Sequence, residues 1–252
     1  MNIRLTASLI LLAVLLFAAP ARAATLDPGS GRFEVEHNGR KLPVWYYLPK
    51  DAAPATPVMI VMHGVNRDAD RYRNDWMPHA QKHGFILVCP EFSKQDFPSD
   101  EGYALGMESA GAAFTFIEPV FDAVKQGTGN TSERYFLYGH SAGAQFVHRF
   151  VFFNPQARLA KAVAANAGWW TLPSVDVEFP YGLKKAPAGE VAPEALVQRP
   201  LVVLLGTDDT DPNHVHLRRT PEAMAQGEHR FARGQNFFAT GKKRAEELKV
   251  PF

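Results

Sequence analysis

The stretch Tyr135–Phe150, YFLYGHSAGAQFVHRF, decides how the rest of the chain is read. It opens as a short apolar run, turns through Gly139-His140-Ser141-Ala142-Gly143, and continues with helical spacing. The five residues fit G-x-S-x-G, which between a strand and a helix presents a serine for nucleophilic attack. The pattern alone is weak, because glycine and serine are common residues. A strand pattern in front and a helix pattern behind give it weight. So tight a turn holds the serine in a strained backbone conformation, and the flanking glycines let strand and helix approach closely. Ser141 then stands at the C-terminal edge of a sheet, where the Ala142 N–H and the helix dipole favour developing negative charge. The plainer alternative is an ordinary strand-to-helix turn with two glycines.

Working outward, the apolar runs come in a definite order. GRFEVEH (31–37) and LPVWYYLP (42–49) alternate and flank Asn-Gly, which predicts an antiparallel hairpin. PVMIVMHG (57–64), GFILVCPEF (84–92), ERYFLYG (133–139), AKAVAANAG (160–168) and RPLVVLLG (199–206) are short and apolar nearly throughout. Strands buried on both faces of a parallel sheet have that composition. Helical patterns fill the gaps over 69–82, 109–125 and 142–153. The alternation predicts a mostly parallel α/β sheet with helices on both faces. The segment 170–198 contains WWTLP, FPYG and APAGEVAP and is long for a loop, so a small lid or pocket wall is expected there.

The chain has 252 residues, 46% hydrophobic and 21% charged, ordinary for a globular protein. Residues 1–23 carry Arg4, an apolar run from Leu9 to Ala19 and Ala21-Arg22-Ala23, the three parts of a secretory signal. The expected mature domain spans 24–252 and is secreted or periplasmic, an uncleaved anchor being the alternative. That mature chain carries one more acidic than basic residue, which gives no electrostatic reason to expect nucleic acid or an anionic membrane as partner. The single cysteine, Cys89, lies inside an apolar run and reads as a small core residue.

Further site residues follow from position. A second oxyanion donor is expected after the strand PVMIVMHG, where Gly64 would turn the chain and aim the Val65 N–H, or that of Asn66, at the serine. His63 in that loop reads as an organising residue. A carboxylate past RPLVVLLG would share the serine's sheet edge. Asp209 is the first choice, with Asp211 and Asp208 as alternatives. The acidic turn could also simply be solvated. Asp208, Asp209, Asp211, His214 and His216 fit no named metal-binding spacing, and neither metal nor cofactor is expected.

Four stretches, VMHGVNRDADRYRNDW, YGHSAGAQFVHRF, ANAGWWTLP…FPYGL and LLGTDDTDPN, together resemble the α/β-hydrolase superfamily, and within it the secreted esterase and poly(hydroxyalkanoate)-depolymerase-like branch. The resemblance implies hydrolysis of a small or polymeric carboxylic ester through an acyl-serine intermediate. It maps the nucleophile onto Ser141, the acid onto Asp209 and the oxyanion donors onto Val65 and Ala142. The chain departs from the pattern after the acid: a helical pattern runs over 221–248, no further apolar strand follows, and no histidine occurs after His229. His214, His216 and His229 follow no strand, His148 lies two turns down the helix, and His140 is expected to point away from the cleft. The expectations are therefore a sheet lacking its last strand, with its edge at RPLVVLLG, and no catalytic histidine. The chain is then either truncated or a non-catalytic binding protein on a hydrolase scaffold; recruitment of His214 or His216 is the third option.

Overall fold

The computed structural model describes residues 25–100, 102–106, 113–187 and 197–252, so the expected signal lies outside the described residues. The hairpin forms as β1 (Gly29–His37) and β2 (Arg40–Leu48), paired antiparallel. Asn38 and Gly39 both have positive φ, 51° and 71°, as a two-residue turn that follows the strand twist requires. The remaining strands are β3 (Val58–Met62), β4 (Ile86–Pro90), β5 (Tyr135–His140), β6 (Leu159–Ala165) and β7 (Leu201–Leu204). The sheet order is β1-β2-β4-β3-β5-β6-β7, with β3 to β7 parallel and β2 antiparallel to β4.

That order places the functional crevice. From β3 the chain moves first to β4 on one side, then to β5 on the other. The loops leaving β3 and β5 diverge, and a cleft opens between them at the C-terminal edge. Val58, Ile60 and Met62 share one core with α2 (Ile117–Thr128) and α3 (Ala142–Phe153). Val61 faces the opposite way and joins Leu87, Cys89, Tyr72 and Ala80 under α1 (Ala69–His83), as a period of two dictates. Every residue of α3 from Ala142 to Phe152 is buried, so α3 is a core helix rather than an amphipathic cover.

Two helical expectations change. The helix expected from Ser109 begins, among the described residues, as a 3₁₀ turn over Ala113–Phe116; α2 then runs on to Thr128 and stops at Gly129 (φ 70°). The pattern expected over 221–248 is two helices, α4 (Pro221–Gln226) and α5 (Arg230–Leu248). Gly227, at φ 153°, turns the chain back against α5, where a Cβ would lie 2.9 Å from that of Ala232. His229 caps α5, its Nδ1 accepting the Ala232 N–H at 3.1 Å.

The sheet ends at β7, where Val202 and Leu204 are 37% and 48% exposed. Through residue 187, the segment expected as lid or wall has a single bridge, Glu178 to Lys184, and tucks Tyr181 and Leu183 inside. Among the described residues no helix is long and apolar enough to cross a membrane.

Candidate active site

Ser141 sits between β5 and α3 with φ 57° and ψ −116°, a region an L-residue enters only when its surroundings enforce it. The enforcement is visible. Ser141 N–H donates to Ala165 O at 3.0 Å, and Ser141 O accepts the Gln145 N–H at 3.1 Å to start the helix. A Cβ on Gly139 would collide with the backbone of Gly143, and a Cβ on Gly143 with the carbonyls of Met62 and His63. Gly139 is thus required by the close approach of β5 and α3, and Gly143 by contact between the turn and β3. Ala142 opens α3, so its N–H is among the first-turn amides without an intrahelical acceptor.

The loop after β3 meets this turn. A Cβ on Gly64 would lie 3.9 Å from Ser141 Cβ and 3.0 Å from the Tyr72 hydroxyl. The Arg67 N–H closes a turn onto Gly64 O at 3.2 Å, leaving Val65 and Asn66 at its tip beside Ser141. His63 holds the loop: Nε2 accepts the Phe92 N–H at 3.0 Å, so Nδ1 carries the proton donated to Gly64 O at 3.1 Å. Burial lowers its pKa to about 4.

Of the three candidate carboxylates, Asp209 is the one held in place. Its Oδ1 accepts from Arg230 Nη1 at 3.1 Å, and its carbonyl accepts the Phe231 N–H at 3.1 Å. Asp211 accepts the Asn213 N–H within an exposed turn, and Asp208 is exposed. Arg230 also donates from Nη2 to His214 Nδ1 at 3.0 Å, where the His216 N–H arrives at 3.1 Å. The His214 proton is thereby placed on Nε2. A serine-activating histidine needs the reverse, Nδ1–H to a carboxylate and a free Nε2. His148 is committed at both nitrogens, Nδ1–H to Ala144 O and Nε2 from the Thr171 N–H, each at 2.9 Å, and burial holds its pKa well below the usual range. Among the described residues no histidine is hydrogen-bonded to Ser141 Oγ.

His140 departs from expectation. It lines the same cavity as Ser141, its Nδ1 3.4 Å from the Tyr72 hydroxyl. Burial lowers its pKa, opposed by the nearby Asp209 carboxylate. The cavity is about 350 Å³, and its far wall is Asp68, just before α1, with Arg71, Tyr72, Asp75 and Trp76 on one face of α1, residues to which the sequence reading gave no site role. The signal was their spacing of three and four residues, a helical stripe without an aliphatic member. Trp169 and Trp170 lie outside this cavity. Trp170 stacks on Phe237 at 4.3 Å, and the guanidinium groups of Arg149 (4.2 Å) and Arg218 (4.8 Å) lie over the Trp169 ring. No group of three or more His, Cys, Asp or Glu side chains among the described residues converges as a metal site.

No family model matches the chain, and no curated protein matches it. Solved structures do. Poly(aspartic acid) hydrolase-1 from Sphingomonas sp. KT-1 is 45% identical, covers 90% of this chain and 90% of its own, and superposes with a TM-score of 0.86. A poly(3-hydroxybutyrate) depolymerase from Bordetella parapertussis is 31% identical over 90% of this chain and 82% of its own, with a TM-score of 0.82. A fluorophosphonate-binding serine hydrolase from Staphylococcus aureus, 17% identical over 88% of each chain with a TM-score of 0.52, shares the fold. By its sheet, its strand-to-helix serine turn and these similarities, the chain belongs to the α/β-hydrolases, in their esterase- and depolymerase-like branch.

Proposed function

We propose that the protein is a serine hydrolase acting on a carboxylic ester through an acyl-serine intermediate. The observation that carries this is the Ser141 turn: a strained serine at a helix N-terminus, opening into a cavity at the sheet switch point. In this reading Ser141 Oγ attacks the carbonyl carbon, and the oxyanion is met by the N–H groups of Ala142 and Val65. Asp209 is the acid that would orient a histidine base; that base would take the Ser141 proton and return it to the leaving alkoxide, and none of the described histidines stands in that place. The two similar proteins are named for a polyester and a polyamide, so a polymer is a reasonable substrate alongside small esters. We also propose that residues 1–23 form a signal removed on export, with 24–252 as one hydrolase domain. Intact-mass analysis of exported protein is then expected to give a chain beginning at Ala24.

A second reading has its own observation. None of the described histidines reaches Ser141 Oγ, and Arg230 occupies both Asp209 and His214. A protein that binds ester-like ligands without turning them over fits that arrangement. Removing a triad member elsewhere leaves on the order of 10³–10⁴-fold catalysis over water, so even the first reading expects slow turnover here.

A fluorophosphonate probe separates the readings. Labelling confined to Ser141 and abolished in Ser141→Ala supports the hydrolase. Folded protein that resists the probe and leaves a p-nitrophenyl ester untouched favours the binding protein.

A further inference from the structure

The α1 wall of the Ser141 cavity has a definite chemistry. Arg71 bridges two carboxylates, with Nε 2.6 Å from Asp68 and Nη1 2.6 Å from Asp75. Its guanidinium lies 4.8 Å from the centre of the Tyr72 ring. Farther along, Trp76 and Tyr138 pack with centroids 4.6 Å apart. The hydrogen bond it donates to Asp68 keeps Arg71 charged, and burial lowers the His140 pKa and so favours its neutral form. Asp209, the next carboxylate toward His140, is already matched by Arg230. Two carboxylates therefore face one guanidinium, leaving the wall with a net negative charge beside aromatic rings. The protein's own cation shows what this surface accommodates: a positive group over an aromatic face and between carboxylates.

We propose that this cavity is a cation-accepting subsite, receiving an ammonium- or guanidinium-bearing arm of the substrate and disfavouring a carboxylate-bearing one. The proposal deepens the function proposed above and rests on Ser141 as the reacting centre. Trp76 and Tyr138 line it, and Asp75, more than half exposed and sharing the one Arg71 guanidinium with Asp68, contributes to the excess negative charge. A cation settling there needs no change in the Arg71 bridge. A carboxylate would meet Asp75 first and would have to draw Arg71 away from its two partners.

Three ligands of one shape test it: choline, its neutral isostere 3,3-dimethylbutan-1-ol, and 3,3-dimethylbutanoate. Binding is followed by ligand-observed NMR at low salt, and hydrolysis is followed separately with acetylcholine and 3,3-dimethylbutyl acetate. Choline is expected to bind on the order of tenfold tighter than the neutral isostere, and the carboxylate weakest. Asp75→Asn should shrink the preference to about twofold, while Arg71→Met, which uncovers both carboxylates, should widen it. Both side chains are more than half exposed, so these substitutions spare the core. Equal affinity for choline and its isostere overturns the proposal. So does tightest binding of the carboxylate with loss of that binding in Arg71→Met, which would make Arg71 an anion-recognition residue suited to an acidic polymer. Failure of the underlying reading looks different: choline selectivity preserved while neither ester is hydrolysed retains the subsite and removes Ser141 as nucleophile.

Discussion

At the scale of single residues, the serine turn is held by contacts that leave no room for a methyl group. Gly143 has no need of a left-handed φ; its requirement is steric, against the carbonyls of Met62 and His63. Those are backbone atoms of β3 and its exit and cannot swing aside as a side-chain tip can. Gly143→Ala is expected to cost about 1–3 kcal/mol, the range for overpacking. It should also displace Ser141, so urea unfolding and probe labelling should fall together. His63, behind the same loop, sets a pH response. The folded protein keeps it neutral down to about 4, whereas the unfolded chain takes up a proton near 6.5. Between those values the unfolded state binds more protons, so stability is complete above about 6.5 and falls as pH drops toward 4. The full span is worth about 3 kcal/mol. Buried His148 acts in the same direction. Denaturant titrations at pH 7 and pH 5 should show the loss, and His63→Gln, weaker overall, should lose less between the two pH values.

At the scale of elements, the two edges of the sheet are treated differently. β1 exposes Arg32, Glu34 and Glu36, charges that discourage pairing with another strand. β7 exposes Val202 and Leu204 instead. Placing Lys at both is expected to reduce light scattering on heating while changing stability by no more than about 0.5 kcal/mol. Unchanged scattering would place self-association elsewhere. The same elements show what the sequence makes legible. Strand runs and the Asn38-Gly39 turn are local signals, and the seven strands lie where their apolar runs predict. The serine is legible for the same reason, since its turn chemistry is written in five consecutive residues. The split at Gly227 was hidden because the helical patterns on its two sides read as one run, while the backbone turn at φ 153° shows only in the fold. The α1 wall was hidden for a related reason. A stripe of Asp, Arg, Tyr, Asp and Trp reads as a solvated face, and only the strand order shows that it faces Ser141. His140 was misplaced likewise: strand alternation puts it on the Tyr138 face of β5, and only the fold shows that this is the face Trp76 of α1 packs against.

At the scale of the whole molecule, the loops beyond β6 and β7 are joined less by ion pairs than by buried side chains bonded to the backbone. Gln226 spans to Trp170 twice, accepting its N–H at 2.9 Å and donating to its carbonyl at 2.7 Å. Arg149, fully buried, donates to Ala104 O, Gln145 O and Thr171 Oγ1, and burial lowers its pKa to about 9. Arg233 does most to join separate segments. It donates to Gly227 O at 2.9 Å, Gly168 O at 2.8 Å and Arg218 O at 2.8 Å. These carbonyls belong to the exit of β6, the loop after β7 and the α4–α5 joint. Arg233→Met leaves three acceptors without a donor, at about 1–3 kcal/mol for each that stays buried. Relief of the guanidinium's own desolvation offsets part of that, so a net loss of about 2–4 kcal/mol is expected. Arg233→Lys should recover little of it, because one ammonium cannot span three directions fixed by a planar fork. Hydrogen exchange tests whether the residue unites the segments. If it does, amides at Trp169–Thr171, Leu217–Arg219 and α4 should gain exchange together in the variant. Faster exchange in α4 alone would reduce Arg233 to a local cap on the Gly227 turn.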